Sequence, residues 1–380
     1  MKTGPIALLL CAALLLTLAG CGAPRPEPDT RTPLAEPTQS APQSAEGDET
    51  AAAAYAPEPP RSVDTSFPLL AAPFSEAESE AMANHNARRC ALMVVNYYYC
   101  RCLYADGSRA LVRYEIIDNN LRHRTRLVED CPADYLSEHE GRLYYLNASA
   151  CPESVTTDGS DRRTELDAAC LSLQQQGGTL WCLLADGTLL ALRGGEKEAL
   201  LGGCAWAFVS EQGIFYTTRA DGCAHLFDPT ARTDVTLTAE AAFDPTVIGT
   251  TLYYAADEPD GRHFRALDLA NGAQRRAEAS FRGEAEFFRD WSGGWLLRFT
   301  GLGGAEGQQT LSLSAAFDGA ADAQSVPGGE LRRCRGIDDV LRTDELFTPD
   351  GTALGFELVL PGGGSYPSLA ADNQPEKKEE

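Results

Sequence analysis

The residues that could do chemistry in this 380-residue chain are scattered. Its five histidines, His85, His123, His139, His225 and His263, form no His-x-His pair and no His-Glu-x-x-His unit, so their spacing announces neither a metal face nor a general base. No Gly-x-Ser-x-Gly elbow offers a nucleophilic serine. Gly362-Gly363-Gly364-Ser365 lacks the lysine of a phosphate loop and reads as a flexible exit. Asp106, Asp186, Asp221, Asp260 and Asp350 each precede a glycine. Calcium needs several oxygen ligands from one crowded loop, whereas an isolated Asp-Gly is what a tight hairpin demands. Glu284, Glu286 and Asp290 lie near Trp291 and Trp295, a mixture suited to a sugar-binding rim, although solvated acids and core aromatics explain it more simply. No metal and no cofactor are expected, and no catalytic residue is assigned.

The elements that would position any site repeat along the chain. A short run of leucine, aromatic and β-branched residues, a Gly or Asp-Gly turn and a second such run recur, most clearly from Gly178 to Leu192 around Asp186-Gly187. With Tyr98, Tyr144, Trp181, Phe215, Tyr253, Leu296 and Leu341 as equivalent marks, the gaps are 46, 37, 34, 38, 43 and 45 residues. That period suits a four-stranded blade. The expected fold is an all-β propeller over 91–360, with seven blades favoured and six or eight allowed. Ser75-Glu76-Ala77-Glu78 has the form of a capping box, predicting a short helix within 66–90 that plugs or braces the ring.

The N-terminus is an address. An apolar run from Ile6 to Leu18 is too short to span a bilayer comfortably and suits a signal peptide over 1–20. Leu18-Ala19-Gly20-Cys21 resembles the lipobox of bacterial lipoproteins, which implies a lipidated Cys21 and a membrane-held, extracytoplasmic chain. Residues 21–65 are rich in Pro, Ala and Glu and poor in large apolar groups, so they cannot offset chain entropy by burial. They form a tether with a reach on the order of 100 Å. That length suits a Gram-positive-type envelope, with a Gram-negative periplasmic face as the alternative. Residues 361–380 read as a disordered, charged tail. A formal net charge of −23 argues against a nucleic-acid partner and against lying flat on anionic lipid.

Of twelve cysteines, ten remain once Cys11 and Cys21 are set aside: Cys90, Cys100, Cys102, Cys131, Cys151, Cys170, Cys182, Cys204, Cys223 and Cys334. An even number in an exported domain points to disulfides, each contributing roughly 2–4 kcal/mol. Cys100 and Cys102 alternate with Arg101 on one strand, so they share a face and each is expected to find a distant partner. A zinc site competes poorly, because no Cys-x-x-Cys occurs.

Gly141-Arg142-Leu143-Tyr144-Tyr145-Leu146-Asn147 and Thr251-Leu252-Tyr253-Tyr254 resemble the hairpin openings of an uncharacterised bacterial propeller domain (domain of unknown function 5050), related to the low-density-lipoprotein-receptor type. The resemblance covers about residues 84–360 and implies an exported propeller without assigned catalytic residues. This sequence departs from it in its extra cysteines and in several blades without paired tyrosines. Ala266-Leu267-Asp268-Leu269-Ala270-Asn271-Gly272 is similar to a quinoprotein-type repeat, but Arg276 stands where that repeat requires tryptophan. The expected function is a lipid-anchored, non-catalytic binding or scaffold module for a protein, peptide or glycan; the alternative is a glycan-active enzyme using carboxylates at the channel mouth.

Overall fold

A computed structural model describes residues 66–104, 107–118, 120–289, 294–318, 324–325, 331–337, 342–348, 353–359 and 365–366. The expected signal segment, Cys21, the tether, Asp290, Trp291 and Gly362 to Gly364 lie outside the described residues. The described chain forms seven antiparallel sheets of four strands, and in each sheet the strands follow one another in sequence. They are blade 1 (91–129), blade 2 (134–164), blade 3 (170–201), blade 4 (204–241), blade 5 (243–281), blade 6 (285–325) and blade 7 (331–366). This is a seven-bladed propeller. Tyr98, Tyr144, Trp181, Phe215, Tyr253 and Leu296 each lie in the second strand of their blade, and Leu341, outside the described residues, adjoins the second strand Arg342–Phe347. The last blade runs beyond residue 360, because Ser365 and Tyr366 pair with Val359 and Leu358.

Blade 3 shows how the repeat folds. Leu180, Trp181, Cys182 and Leu183 pair with Leu192, Ala191, Leu190 and Leu189. The connecting turn is held by the Gly187 amide donating to the Leu184 carbonyl (2.9 Å) and the Thr188 amide donating to Asp186 Oδ1 (2.8 Å). Gly187 has φ +92°, and a Cβ there would sit 2.9 Å from the Cys204 carbonyl oxygen. Only glycine lets this turn press against the start of blade 4.

Between most neighbouring blades the seam is apolar. Leu183, Leu189, Val209 and Ile214 fill the gap between blades 3 and 4, Phe208, Phe215, Val247 and Leu252 that between 4 and 5, and Phe264, Phe287, Leu297 and Phe299 that between 5 and 6. Blade 7 is joined differently. Its Asp344 accepts from blade 6 Arg298 (3.1 Å), while Arg298 also reaches Glu286 (2.6 Å) and Arg342 reaches Asp344 (3.1 Å). On the other side Glu345 takes Arg101 of blade 1 (2.9 Å) and Arg335 (2.7 Å), and Arg101 extends to Asp134 of blade 2 (2.8 Å). Among the described residues no strand is exchanged between blades 1 and 7, and the Cys90 amide to the Arg335 carbonyl (2.9 Å) and the Tyr98 hydroxyl to Thr343 add to the closure.

The ten cysteines carry no disulfide: all are free thiols. This corrects the expectation for Cys90, Cys100, Cys102, Cys131, Cys151, Cys170, Cys182, Cys204, Cys223 and Cys334. Nine of them are buried and Cys151 is partly so; Cys100 and Cys102 do share a face, where they pack with Tyr98, Val112 and Leu358 as small apolar side chains. Cys170 and Cys182, on neighbouring strands of blade 3, pack in one cluster with Leu146, Leu173 and Leu180, and the Cys170 thiol donates to the Ala168 carbonyl (3.5 Å). Burial pushes Cys90 up to about 11 and Cys204 and Cys334 up to about 12, which keeps them protonated and unreactive. A chain beginning at Ser66, denatured without reductant, is therefore expected to release ten thiols to an aromatic disulfide reagent. A count near zero would mean that the cysteines are crosslinked.

Candidate functional site

The centre of the ring is occupied by the helix Glu76–Asn86. Ser75 caps it: its hydroxyl accepts from the Glu78 amide (3.2 Å), and Glu78 Oε2 accepts from the Ser75 amide (2.9 Å). The incoming chain crosses one face of the ring at blade 5, where the Leu69 amide donates to the Leu269 carbonyl and the Phe74 amide to the Gly249 carbonyl, both at 2.8 Å. The Phe67 ring lies on Gly272. The helix then runs antiparallel to the first strand of blade 5, with Phe74 at Gly249, Met82 at Val247 and Asn86 at Pro245. Its far end meets the beginnings of the first strands of blades 4 and 5, with Asn86 Nδ2 donating to the Pro245 carbonyl (3.0 Å) and Trp206 Nε1 donating to Asn86 Oδ1 (2.8 Å). Eleven residues cover about 16 Å, close to the roughly 20 Å of a six-residue strand, so the helix threads the channel from face to face.

The helix packs against the first strands of blades 4, 5, 6 and 7. Met82 enters the core between blades 4 and 5, Asn84 bonds both polar backbone groups of Ile337 in blade 7 (3.1 and 2.9 Å), and Arg289 of blade 6 holds Glu76 and Glu80. Towards blades 2, 3 and 4 the channel stays open as a slot of about 300 Å³. Its helix side presents Ala77, Glu78, Ala81 and His85, and its walls are Tyr135 to Ser137, Leu173 to Gln176 and Phe208 to Ser210.

Three polar atoms of these lining residues are buried without a hydrogen-bond partner: Glu78 Oε1, His85 Nε2 and Ser137 Oγ. Such atoms are costly unless something meets them. Other polar groups in the wall are already engaged, since Gln174 exchanges bonds with the backbone of Val209 (2.7 and 2.9 Å) and Ser210 donates to the Gly213 carbonyl (2.9 Å). His85 is only 7% exposed and lies among Tyr135, Trp206 and Phe208. Burial pulls it down to about 4 against a bond to the Ala207 backbone, so the ring is neutral near pH 7. With its other nitrogen on Ala207, Nε2 is left as an acceptor. Burial also raises Tyr135 to about 12 despite the nearby Arg88 cation, keeping the phenol neutral.

The residues suggested for a sugar rim do other work. Glu286 is inside the seam between blades 6 and 7, bound to Arg298 and the Cys334 amide (3.0 Å); burial raises its carboxyl, and Arg298 opposes the rise. Glu284 pairs with Arg333, and Trp295 is half-buried in blade 6. His123 is exposed beside Glu115 (2.8 Å), and buried His225 stands on Asp234 (3.0 Å). Glu258, Asp260 and His263 converge within reach of one ion, but Arg276 and Arg265 ion-pair with Glu258 (2.8 and 3.0 Å) and Arg276 also reaches His263 (3.0 Å), so the acids are already neutralised. His139 lines a smaller cleft of about 170 Å³ between blades 2 and 3, with Glu165 and Glu196. Glu165 is taken by Ser154, and none of the unpartnered buried atoms lies on this cleft. Glu78 and Ser137 were not legible as site residues; the one trace of Glu78 in the sequence is its capping-box position.

No protein-family model matches this chain, the domain of unknown function 5050 included, and no curated protein matches it. Solved structures do. A Mycobacterium tuberculosis puromycin-hydrolysing peptidase matches at TM-score 0.51 and 13% identity over 79% of this chain and 55% of that one. A prolyl endopeptidase structure matches at TM-score 0.50 and 10% identity over 76% and 51%. The β-propeller domain of the Trilobed protease from Pyrococcus furiosus matches at TM-score 0.48 and 11% identity over 75% and 98%. The chain spans about half the length of the two peptidases. At these identities the likeness is one of fold.

Proposed function

We propose that the chain is an extracytoplasmic binding module, anchored to its membrane through a lipid on Cys21, which captures its ligand in the slot beside the central helix. The observation that carries this reading is that three residues lining the slot, Glu78, His85 and Ser137, each hold a buried polar atom without a hydrogen-bond partner. Channel-mouth pockets of this kind suit small ligands or the tip of a larger one. The glycan-active alternative needs two carboxylates across a scissile bond, and Glu78 is the single acid among the described residues lining the slot. The peptidases of similar fold are longer chains, and their activity is not carried over.

The address rests on the lipobox-like Leu18-Ala19-Gly20-Cys21 and the Pro-rich tether, with a Gram-positive-type envelope favoured. No helix among the described residues is long and apolar enough to cross a membrane. Ten free thiols would suit an envelope without a strong thiol oxidant.

Ala81 lies on the slot side of the helix and is exposed, so Ala81→Trp fills the slot without disturbing the core. A panel of peptides, amines and glycans is screened by thermal shift against parent and variant. A true ligand at 100 times its Kd stabilises the parent by about 2.7 kcal/mol and leaves Ala81→Trp unmoved. Equal shifts in both proteins would place binding elsewhere.

A further inference from the structure

Resting on the reading of the slot as a binding site, we propose that it receives a primary ammonium group carried on an unbranched alkyl stem with a neutral far end, as in a lysyl side chain of a peptide. The unpartnered groups are mostly acceptors. Glu78 Oε1 belongs to a carboxylate and His85 Nε2 to an imidazole whose other nitrogen already donates, so the ligand must bring hydrogen-bond donors. A buried carboxylate oxygen left unmet also asks for a positive charge, which a hydroxyl does not supply. The chain's net charge of −23 draws cations towards it.

The shape fits a stem rather than a compact cation. Glu78, Ala81 and His85 are spaced three and four residues apart, on one side of the helix. Glu78 and His85 are thus two turns apart, about 10 Å along the axis. Ala81 lies between them on the helix, and the facing wall carries Tyr135, Leu136, Leu173 and Phe208 for a stem, interspersed with Gln174 to Gln176 and Ser210. Arg89 lines the slot beyond His85, with its Nε on the Ala91 carbonyl (2.9 Å). A second cation at that end is disfavoured. The peptide backbone of a lysyl residue would instead place an amide N–H within reach of His85 and its carbonyl towards Arg89.

The test uses calorimetry on the full-length chain with Nα-acetyl-lysine amide, its uncharged counterpart Nα-acetyl-norleucine amide, and 1,5-diaminopentane. The lysine compound is expected to bind at least tenfold tighter than the norleucine compound and tighter than the diamine. Glu78→Gln keeps the capping box, which accepts glutamine, and is expected to erase the tenfold preference while unfolding at the parent's temperature. Equal affinity for the lysine and norleucine compounds, or an undiminished preference in Glu78→Gln, overturns the ammonium assignment. Tighter binding of the diamine overturns the neutral far end. If Ala81→Trp binds every probe as the parent does, the slot itself is not the site, and the reading beneath this inference falls with it.

Discussion

Glu345→Ala is expected to lower the unfolding free energy by about 3–5 kcal/mol, the range for removing one partner from a buried ion pair. Two guanidiniums depend on this carboxylate. The Glu345 side chain is 8% exposed, and those of Arg101 and Arg335 are 6% and 9%. Taking it away leaves two buried cations, of which Arg101 retains Asp134 and Arg335 retains the Ala87 carbonyl at 2.8 Å. The damage is local in the first instance. Among the described residues blades 1 and 7 share no strand, so the seam between them can part while the other blades stay packed. Urea denaturation measures the loss, and alkylation of the buried thiols locates it. Cys90 at the seam should react many times faster in the variant, while Cys204 in blade 4 keeps the parent's rate. Equal acceleration at both would show a general loosening instead of an opening ring.

His85 makes the second large contribution, and it depends on pH. The ring's protonation midpoint falls from its ordinary 6.5 to about 4 in the fold, so the unfolded chain binds the proton more readily. Stability from this group is complete above pH 6.5 and is lost as pH falls towards 4. At about 1.4 kcal/mol for each pH unit of displacement, the loss amounts to about 3 kcal/mol. His85→Asn retains a donor for the Ala207 backbone and removes the titration. Chemical denaturation of parent and variant at pH 7 and pH 4 should therefore give a parent that weakens by about 3 kcal/mol more than the variant. Parallel losses would mean that His85 takes up its proton within the fold at the ordinary pH.

The ring was readable because each blade must place a run of large residues in its second strand and turn sharply after it. Tyr98, Trp181 and Phe215 announce this with period and type together. The seventh copy, marked by Leu341 where most of the others carry an aromatic ring, is less pronounced for a physical reason. Blade 7 meets its neighbours through Arg335, Asp344, Glu345 and Arg298, and charged residues leave no hydrophobic mark to count. The helix was visible from Ser75 and Glu78, but its place was not. A helix inside a channel is surrounded by the edges of first strands, so it carries Asn84 and Asn86 to bond their backbone groups and shows no broad apolar stripe. The cysteines misled because a thiol fills a tight strand-to-strand gap as well as alanine or valine does, and composition cannot separate packing from crosslinking. His85 looked like one scattered histidine among five. Its meaning comes from Tyr135, Trp206 and Phe208, which lie 50 to 123 residues further along the chain.

The path of the chain into the ring gives the molecule a mechanical grain. Residues before Phe67 lead to the strap over blade 5, the strap leads to Ser75, and Ser75 opens the helix that forms one side of the slot. Tension applied from the N-terminal end would be borne first by the bonds of this strap, among them those of the Leu69, Ala71 and Phe74 amides, loaded one after the other as a zip is. Once they yield, the load falls on the axle of the ring rather than on any blade, and sliding that axle by a single turn would carry Glu78 and His85 about 5 Å past the opposing wall. A pull would thus dismantle the slot while leaving the seven blades standing.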